Sequence, residues 1–423
     1  MKINFIIPPQ PFMGDTKRNA PLGVMYLAAV TEREGHESTI TDLRDKTPEE
    51  SLSLIPESDI YGFTCATPDY PYCKKIAKGL KQRDPDSLLV IGGMHPTACP
   101  EKIDKIFDIV CLGEGERAIT KIVNEMGKDR HDRFCKCKTI MDLSEVPMPA
   151  RHLLPLESFI SYRLVEKGKA ATTITASRGC PFDCAFCGSK TMWGRKLRYR
   201  LVDNVIAEIV ELKERYGIEQ LRFQDDGITY NKKWLIEFCE KTKPLNVVWR
   251  ANIRIDTSTK DVLFLMRAAG CVELVYGIES TEQEVLDKCN KRFKIEQAYE
   301  VMREAAEAGI KTRINFMIGL PGQGEDVADN MIDFIKKAKP VAVNLATFVP
   351  FPGSDMYKNP QKYGIKLRKD IAFDEYVMTR GLYGNEIEKD FVFEHDKLSN
   401  KQLKDAREKV LDFIQTYHLV QNK

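Results

Sequence analysis

The alternation of short apolar runs with longer helical patterns, met twice along the chain, constrains the fold more than any other feature. Residues 1 to about 125 carry five such runs: INFII (3–7), STITDL (38–43), DIYGFT (59–64), LLVIGG (88–93) and IVCLGEG (109–115). Helical patterns lie between them, and the first, LGVMYLAAVTEREG, stops at Gly35. Strand–helix alternation of this kind predicts a doubly wound parallel sheet. Ligands bind such sheets outside the carboxyl ends of the strands. The rhythm is lost between 126 and 170, where KDRHDRFCKCK is charged and VPMPARHLLP is proline-rich, and this stretch reads as a linker. It resumes at TTITAS (172–177), and six β/α units up to about residue 350 fit an incomplete parallel barrel. In such barrels the chemistry sits at the carboxyl ends of the strands. In the helix VDNVIAEIVELKERYG, periodicity places Val202, Val205, Ile206, Ile209 and Val210 on one face, with a stop at Gly217. After Pro350 the chain is irregular, then helical from about Ser399 to Tyr417.

Net charge is +2, with no basic excess for nucleic acid and no acidic tail. The apolar run Ile3–Ile7 ends at two prolines and is too short for a signal sequence, and no run approaches about 18 apolar residues. A cytoplasmic protein without a membrane span is expected. Its 12 cysteines therefore call for metal or redox use rather than disulfides. Most read as buried small hydrophobes, and Cys135 and Cys137, in a polar stretch, read as surface thiols.

Three cysteines differ. SRGCPFDCAFCGSK carries Cys180, Cys184 and Cys187 in a CxxxCxxC spacing directly after the first barrel strand. Iron–sulfur clusters are held by thiolates, and tight spacing lets one loop wrap a cluster. Three ligands leave one iron open for chemistry. A structural zinc with a distant fourth ligand is the competing reading.

This motif, with Phe186 before the last cysteine, resembles the radical S-adenosylmethionine (SAM) superfamily. The resemblance implies a [4Fe–4S] cluster whose open iron is chelated by the amino and carboxylate groups of SAM, and reductive cleavage to a 5′-deoxyadenosyl radical. It also implies contacts to SAM from strand ends: Asp225 or Asp226, Arg254 (with Arg250 upstream) and Glu279, and Gly319 in the GLPG turn near the adenine. Each also has a plain structural reading: Asp225 or Asp226 as a helix N-cap, Glu279 as a surface charge, the GLPG turn as geometry.

A doubly wound domain ahead of such a barrel resembles the cobalamin-dependent branch, on the segments APLGVMYLAAV (20–30), VIGGMHPTACP (90–100) and CLGEGER (111–117). The resemblance implies cobalamin held by Gly92, Gly93, His95, Thr97, Gly113, Glu114 and Gly115. The DxHxxG motif that supplies a lower cobalt ligand in many cobalamin proteins is missing from the sequence. The expected organisation is a Rossmann-like cobalamin-binding domain (1–127), a linker (128–170), a partial (β/α)6 TIM-like radical SAM barrel (171–354) and a small, mostly helical C-terminal segment (355–423). The activity implied is methylation of an unactivated carbon through methylcobalamin and a 5′-deoxyadenosyl radical. A rearrangement or cyclisation with the same cofactors is the first alternative, and a cluster- or metal-bearing binding or sensor protein the second. Implied partners are a peptide side chain or small-molecule substrate and an electron donor such as flavodoxin or ferredoxin. Sequence names neither the substrate nor a catalytic hydrogen donor.

Overall fold

The computed structural model describes residues 1–126, 132–369, 372–376 and 391–421. Two parallel six-stranded sheets organise it. The first runs β1 (Lys2–Ile7), β2 (Glu37–Asp42), β3 (Ile60–Thr64), β4 (Leu88–Gly92), β5 (Ile109–Leu112) and β6 (Phe134–Lys136) in the spatial order β2-β1-β3-β4-β5-β6. The order reverses between β1 and β3. A crevice opens at such a switch point, outside the strands' carboxyl ends.

Local chemistry explains where the elements stop. Pro8 and Pro9, lacking N–H donors, close β1. Gly35 takes φ +85° after the helix Leu22–Arg33, a conformation that favours glycine. Thr47 caps Pro48–Leu54 in a reciprocal capping box with Glu50.

The second sheet is the barrel: β7 (Ala171–Ile174), β10 (Gln220–Phe223), β11 (Val248–Ile253), β12 (Cys271–Glu279), β13 (Lys311–Ile318) and β14 (Ala342–Thr347), all neighbours parallel. Between β7 and β10 lies a short antiparallel pair, β8 (Ser177–Arg178) and β9 (Arg198–Tyr199), which brackets the cysteine segment. The helix Val202–Tyr216 packs on the barrel's outside and ends on Gly217 at φ +62°. Burying Val202, Val205, Ile209 and Leu212 is worth about 1.5–3 kcal/mol each. Ile206 and Val210, expected on this face, are only half-buried. Glu208 takes the inner position instead, because Arg151 (2.9 Å) and Arg200 (2.5 Å) both pair with it there.

The expected boundary at 127–128 falls outside the described residues. Downstream of it, the CKCK stretch forms β6, with Cys135 opposite Cys111 on β5. Cys135 is buried rather than a surface thiol, because the side chain of this edge strand turns inward. The terminal helix spans Asn400–Gln421. Among the described residues no helix is long and apolar enough to cross a membrane.

Candidate active site

The cysteine segment leaves β8 and is pinned from three sides. Cys289 accepts a backbone hydrogen bond from Ala185 (2.9 Å), the Asn290 amide donates to Asp183 O (3.0 Å), and Ala185 O accepts from Met356 N (3.0 Å). Gly179 fixes the entry to the loop. Its φ is +95°, and a Cβ there would sit 2.5 Å from Lys196 O. Cys180, Cys184 and Cys187 are all half-buried. Burial pushes the Cys187 thiol up to about 11, with Asp226, Cys184 and Cys180 adding to the effect and a backbone hydrogen bond from Ser189 opposing it. Loading metal must therefore displace protons. Among the described residues no three such side chains converge tightly enough for one ion.

Two residues brace the thiols. Arg254, at the end of β11, reaches Cys184 Sγ (3.6 Å) and lies 3.6 Å from the Phe182 ring centroid. It also donates to both oxygens of Asp256 (2.8 and 2.9 Å) and to Lys291 O. Its guanidinium is thus committed to tethering the cysteine loop. The Tyr230 hydroxyl lies 3.9 Å from Cys180 Sγ and donates to Asp226 O (3.0 Å).

A cavity of ≈ 370 Å³ opens between the two sheets. Its floor is the switch point of the first sheet, with Phe5 from β1 and Gly62 and Phe63 from β3. Gly92, Gly93, Gly113, Glu114 and Gly115 form one wall. Arg178, Gly179, Trp193, Asp225 and Asp226 form the barrel side. A Cβ at Gly23, also on the lining, would meet nothing within 4 Å, and Gly113 sits at φ +83°. These glycines leave a bare backbone cradle suited to a large planar group.

The structure therefore brings seven of the sequence-derived candidates to one cavity. Asp225 accepts from Ala176 N (3.0 and 3.1 Å) and Ser177 Oγ (2.5 Å), and burial raises its carboxyl to about 6. Asp226 accepts from Ser189 Oγ (2.5 Å) and is raised by burial. Neither aspartate caps the following helix; Asn231 does. Glu114 is not free to meet a ligand by charge. It accepts from Arg178 (3.0 Å), from Arg198 (2.8 Å to each oxygen) and from Ile140 N (2.9 Å). Thr97 does not line the cavity but ties its glycine loops, donating to Gly93 O (2.7 Å) and accepting from Gly113 N (3.0 Å).

Four candidates lie elsewhere. His95 is fully buried beside Tyr70 and Phe373, with Nδ1 3.3 Å from Thr67 Oγ1. Burial lowers its pKa to about 4, so it is neutral. Arg254 sits on the cysteine loop as described. Gly319, at φ +91°, is covered by Phe391, whose ring would be 3.0 Å from an added Cβ. Glu279 lines a second cavity of ≈ 310 Å³ within the barrel, and it is buried rather than a surface charge. Its φ is +70°, at a register shift in β12, and burial raises its carboxyl although Lys291 Nζ stands 3.5 Å away. Trp193, read from sequence as an aromatic that could line the cavity or pack in the core, does line it, whereas Arg178 and Arg198 were not singled out from sequence as site residues. The only available signal was the arginine in SRGC, one glycine before the first cysteine.

Comparison with known proteins agrees with this arrangement. The B12 binding domain family model matches residues 17–123, and the Radical SAM superfamily model matches residues 174–335. An uncharacterized methyltransferase of Pyrococcus horikoshii is 29% identical over 387 residues, covering 85% of this chain and 83% of its own. The anaerobic magnesium-protoporphyrin IX monomethyl ester cyclase of Rubrivivax gelatinosus is 27% identical, covering 84% of this chain and 68% of its own. In fold, the chain is similar to the radical SAM methyltransferase TsrM of Kitasatospora setae, solved with cobalamin and a [4Fe–4S] cluster (TM-score 0.67, 16% identity, 88% of this chain and 81% of that one). The cofactors expected from the sequence, cobalamin, SAM and a [4Fe–4S] cluster, are those of the two matched domains. The chain belongs to the radical SAM superfamily, in the branch that carries an N-terminal B12-binding domain.

Proposed function

We propose that this radical SAM enzyme transfers a methyl group to an unactivated carbon of its substrate. The observation that carries the reading is the shared cavity: the glycine cradle of the first sheet and the strand ends beside the cysteine loop face each other across one space. In the proposal Cys180, Cys184 and Cys187 hold the cluster, Gly92, Gly93, Gly113 and Gly115 cradle the corrin, and Asp226 and Glu279 meet the cationic groups of SAM. When bound, these cofactors supply a 5′-deoxyadenosyl radical and a transferable methyl group. The chain's own residues then orient and exclude water. Arg254 and Asn290 hold the cysteine loop still, and Trp193 and Tyr26 cover the cavity's apolar side. In this reading an external one-electron donor of the flavodoxin or ferredoxin type supplies the reducing electron.

The cyclase relative supports a second reading, ring formation or rearrangement with the same cofactors. One experiment separates them. Anaerobically reconstituted enzyme with cobalamin, a reductant and SAM should form 5′-deoxyadenosine. With a candidate substrate, methyl transfer should also form one S-adenosylhomocysteine per product. Deoxyadenosine with product but no S-adenosylhomocysteine supports cyclisation; no deoxyadenosine at all refutes both.

A further inference from the structure

We propose that Cys111, Cys135 and Cys137 form a reversible thiol–disulfide site, in which a small disulfide of the glutathione type oxidises Cys111 and Cys135 to a bridge between β5 and β6. Neither the cluster nor the methyl transfer proposed above has a part in it. Cys111 and Cys135 are in-register partners on neighbouring parallel strands. Their Cα atoms are therefore about 4.8 Å apart, and both side chains leave the same face of the sheet. That separation lies inside the range of about 4.4–6.8 Å that a disulfide spans. Cys137 comes two residues after Cys135, so chain length alone keeps it within about 7 Å. All three meet in one apolar cluster, Cys111 and Cys135 as buried members and Cys137 packed against them.

The three thiols differ in a way that gives each a role. Cys137 is half-buried and open to solvent, whereas Cys135 and Cys111 are buried. Cys135, in the middle, ionises most readily. Hydrogen bonding from Cys111 lowers its pKa most, burial opposes this, Cys137 and Lys121 add to the fall, and Glu125 opposes it. Lys121 belongs to the helix Glu116–Asn124. Cys111 is pushed the other way by its bond to Cys135 and by burial, and Cys137 by burial and by Cys135. One thiolate is thus held between two thiol donors, and the thiolate is the form that attacks a disulfide.

Glutathione disulfide reaches Cys137 but not the buried pair. The Cys137 thiolate attacks one of its sulfurs, the S–S bond breaks, and one glutathione thiolate leaves and takes up the proton that Cys137 lost. The Cys135 thiolate then attacks Cys137 Sγ and expels the second glutathione thiolate, which takes up the Cys135 proton. Cys111 finally attacks Cys135 Sγ, and Cys137 leaves as a thiol with the proton of Cys111. Two protein thiols have lost two electrons and two protons, and one glutathione disulfide has become two glutathione thiols. The bridge ties the cavity wall to the strand that leads to Ile140. Cys111 lines the cavity, and a Cβ on the cradle residue Gly92 would lie 3.3 Å from Cys111 Cβ. Ile140 N donates to Glu114 (2.9 Å). Oxidation therefore fixes the edge strand Phe134–Lys136 against the wall that carries Gly92 and Glu114.

The test follows the thiols directly. Reconstituted holoenzyme is incubated anaerobically with excess glutathione disulfide, quenched with an alkylating reagent, digested and read by mass spectrometry. The Cys111–Cys135 bridge should form, and reduced glutathione should remove it. Cys137→Ser should slow its formation about tenfold or more, since only buried thiols remain to attack, without lowering the final yield. Cys111→Ser should stop at a Cys135–Cys137 bridge, and Cys135→Ser should stop at glutathione on Cys137. Serine is close to cysteine in size, so the three variants should keep wild-type iron and corrinoid content. The oxidised wild type should melt about 5 °C or more above the reduced form, a shift missing from Cys135→Ser. Wild-type protein whose Cys111 and Cys135 stay alkylatable in excess glutathione disulfide would overturn the inference. So would a bridge of Cys135 to Cys137 alone, or an unchanged rate in Cys137→Ser. Iron and sulfide measured in the same samples separate this bridge from oxidation of a cysteine loop that has lost its cluster.

Discussion

Glu114 to glutamine tests whether the two domains are held by charge. Glu114 is 5% exposed and receives Arg198, itself 2% exposed, on both oxygens at 2.8 Å, with Arg178 at 3.0 Å. Removing one partner of a buried pair costs about 3–5 kcal/mol, mostly by stranding the other charge. The amide oxygen still accepts, and Arg178 keeps Glu116 at 2.6 Å. Arg198 keeps only the carbonyls of Ile140 and Trp193, and its Nε already lacks a partner. The loss therefore belongs at the low end, about 3 kcal/mol. At about 2–4 °C per kcal/mol for units of this size, calorimetry of the apo enzyme should show the melting temperature falling by about 6–12 °C. Glu116→Gln should cost less, because Arg178 retains Glu114. A melting temperature unchanged in Glu114→Gln would refute the reasoning and leave apolar packing alone to hold the domains together.

Replacing Cys180, Cys184 or Cys187 by alanine should abolish the cluster, read as lost iron and sulfide, whereas Cys65→Ala, Cys73→Ala and Cys239→Ala should keep it. Glu279→Gln should weaken SAM binding about ten- to hundredfold, by the loss of one charge-assisted contact, with cluster and corrinoid content unchanged; equal dissociation constants would remove Glu279 from the site. His95→Ala should leave retention of hydroxocobalamin through desalting intact, since the imidazole does not line the cavity, and the cob(II)alamin EPR spectrum should lack axial nitrogen splitting with or without it. Asp225, raised by burial from 3.8 to about 6, is bound to a proton in the folded state more firmly than in the unfolded one, so its burial costs nothing below about pH 4 and destabilises increasingly as pH rises through 6. The stability of Asp225→Asn relative to wild type should accordingly rise by roughly 2 kcal/mol from pH 4 to pH 7 in denaturant titrations, and a flat difference would refute the shift.

The cysteine loop was legible because its chemistry is contiguous: three thiols within eight residues after a strand. The glycine cradle was legible because a parallel sheet brings its carboxyl ends together, so GG and GEG at two strand ends must share a rim. What sequence could not show is pairing at a distance. Glu208 falls outside the apolar face that periodicity predicts, and the approach of Arg151, 57 residues earlier, together with Arg200 turns it inward. Phe134–Lys136 is too short and too charged in context to read as a strand, yet pairing with β5 buries Cys135. His95 sat in a suggestive loop at a strand end, but Tyr70 and Phe373, distant in sequence, enclose its ring, and it does not line the cavity.

Arg178 explains why the domain contact and the cysteine loop cannot vary independently. It donates to Glu114 and Glu116 of the first domain, and its guanidinium lies 5.4 Å from the Tyr26 ring centroid and 5.2 Å from that of Trp193. Two residues on is Cys180, and between them Gly179 admits no side chain against Lys196. A displacement of the first domain must therefore pull on a segment with no slack before the first thiol. The proposed methyl transfer would need the cobalamin and the substrate carbon at fixed separation, since misplacement by about 1 Å can cost a hundredfold in rate. Surface charges could not set that separation, because screening and side-chain freedom leave such pairs nearly neutral in free energy. Burying Glu114 and Arg198 between the domains carries a desolvation cost, but it makes every other relative placement of the domains leave a charge unpaired. In this chain the ion pairs beside the cavity thus act on geometry first and on stability second.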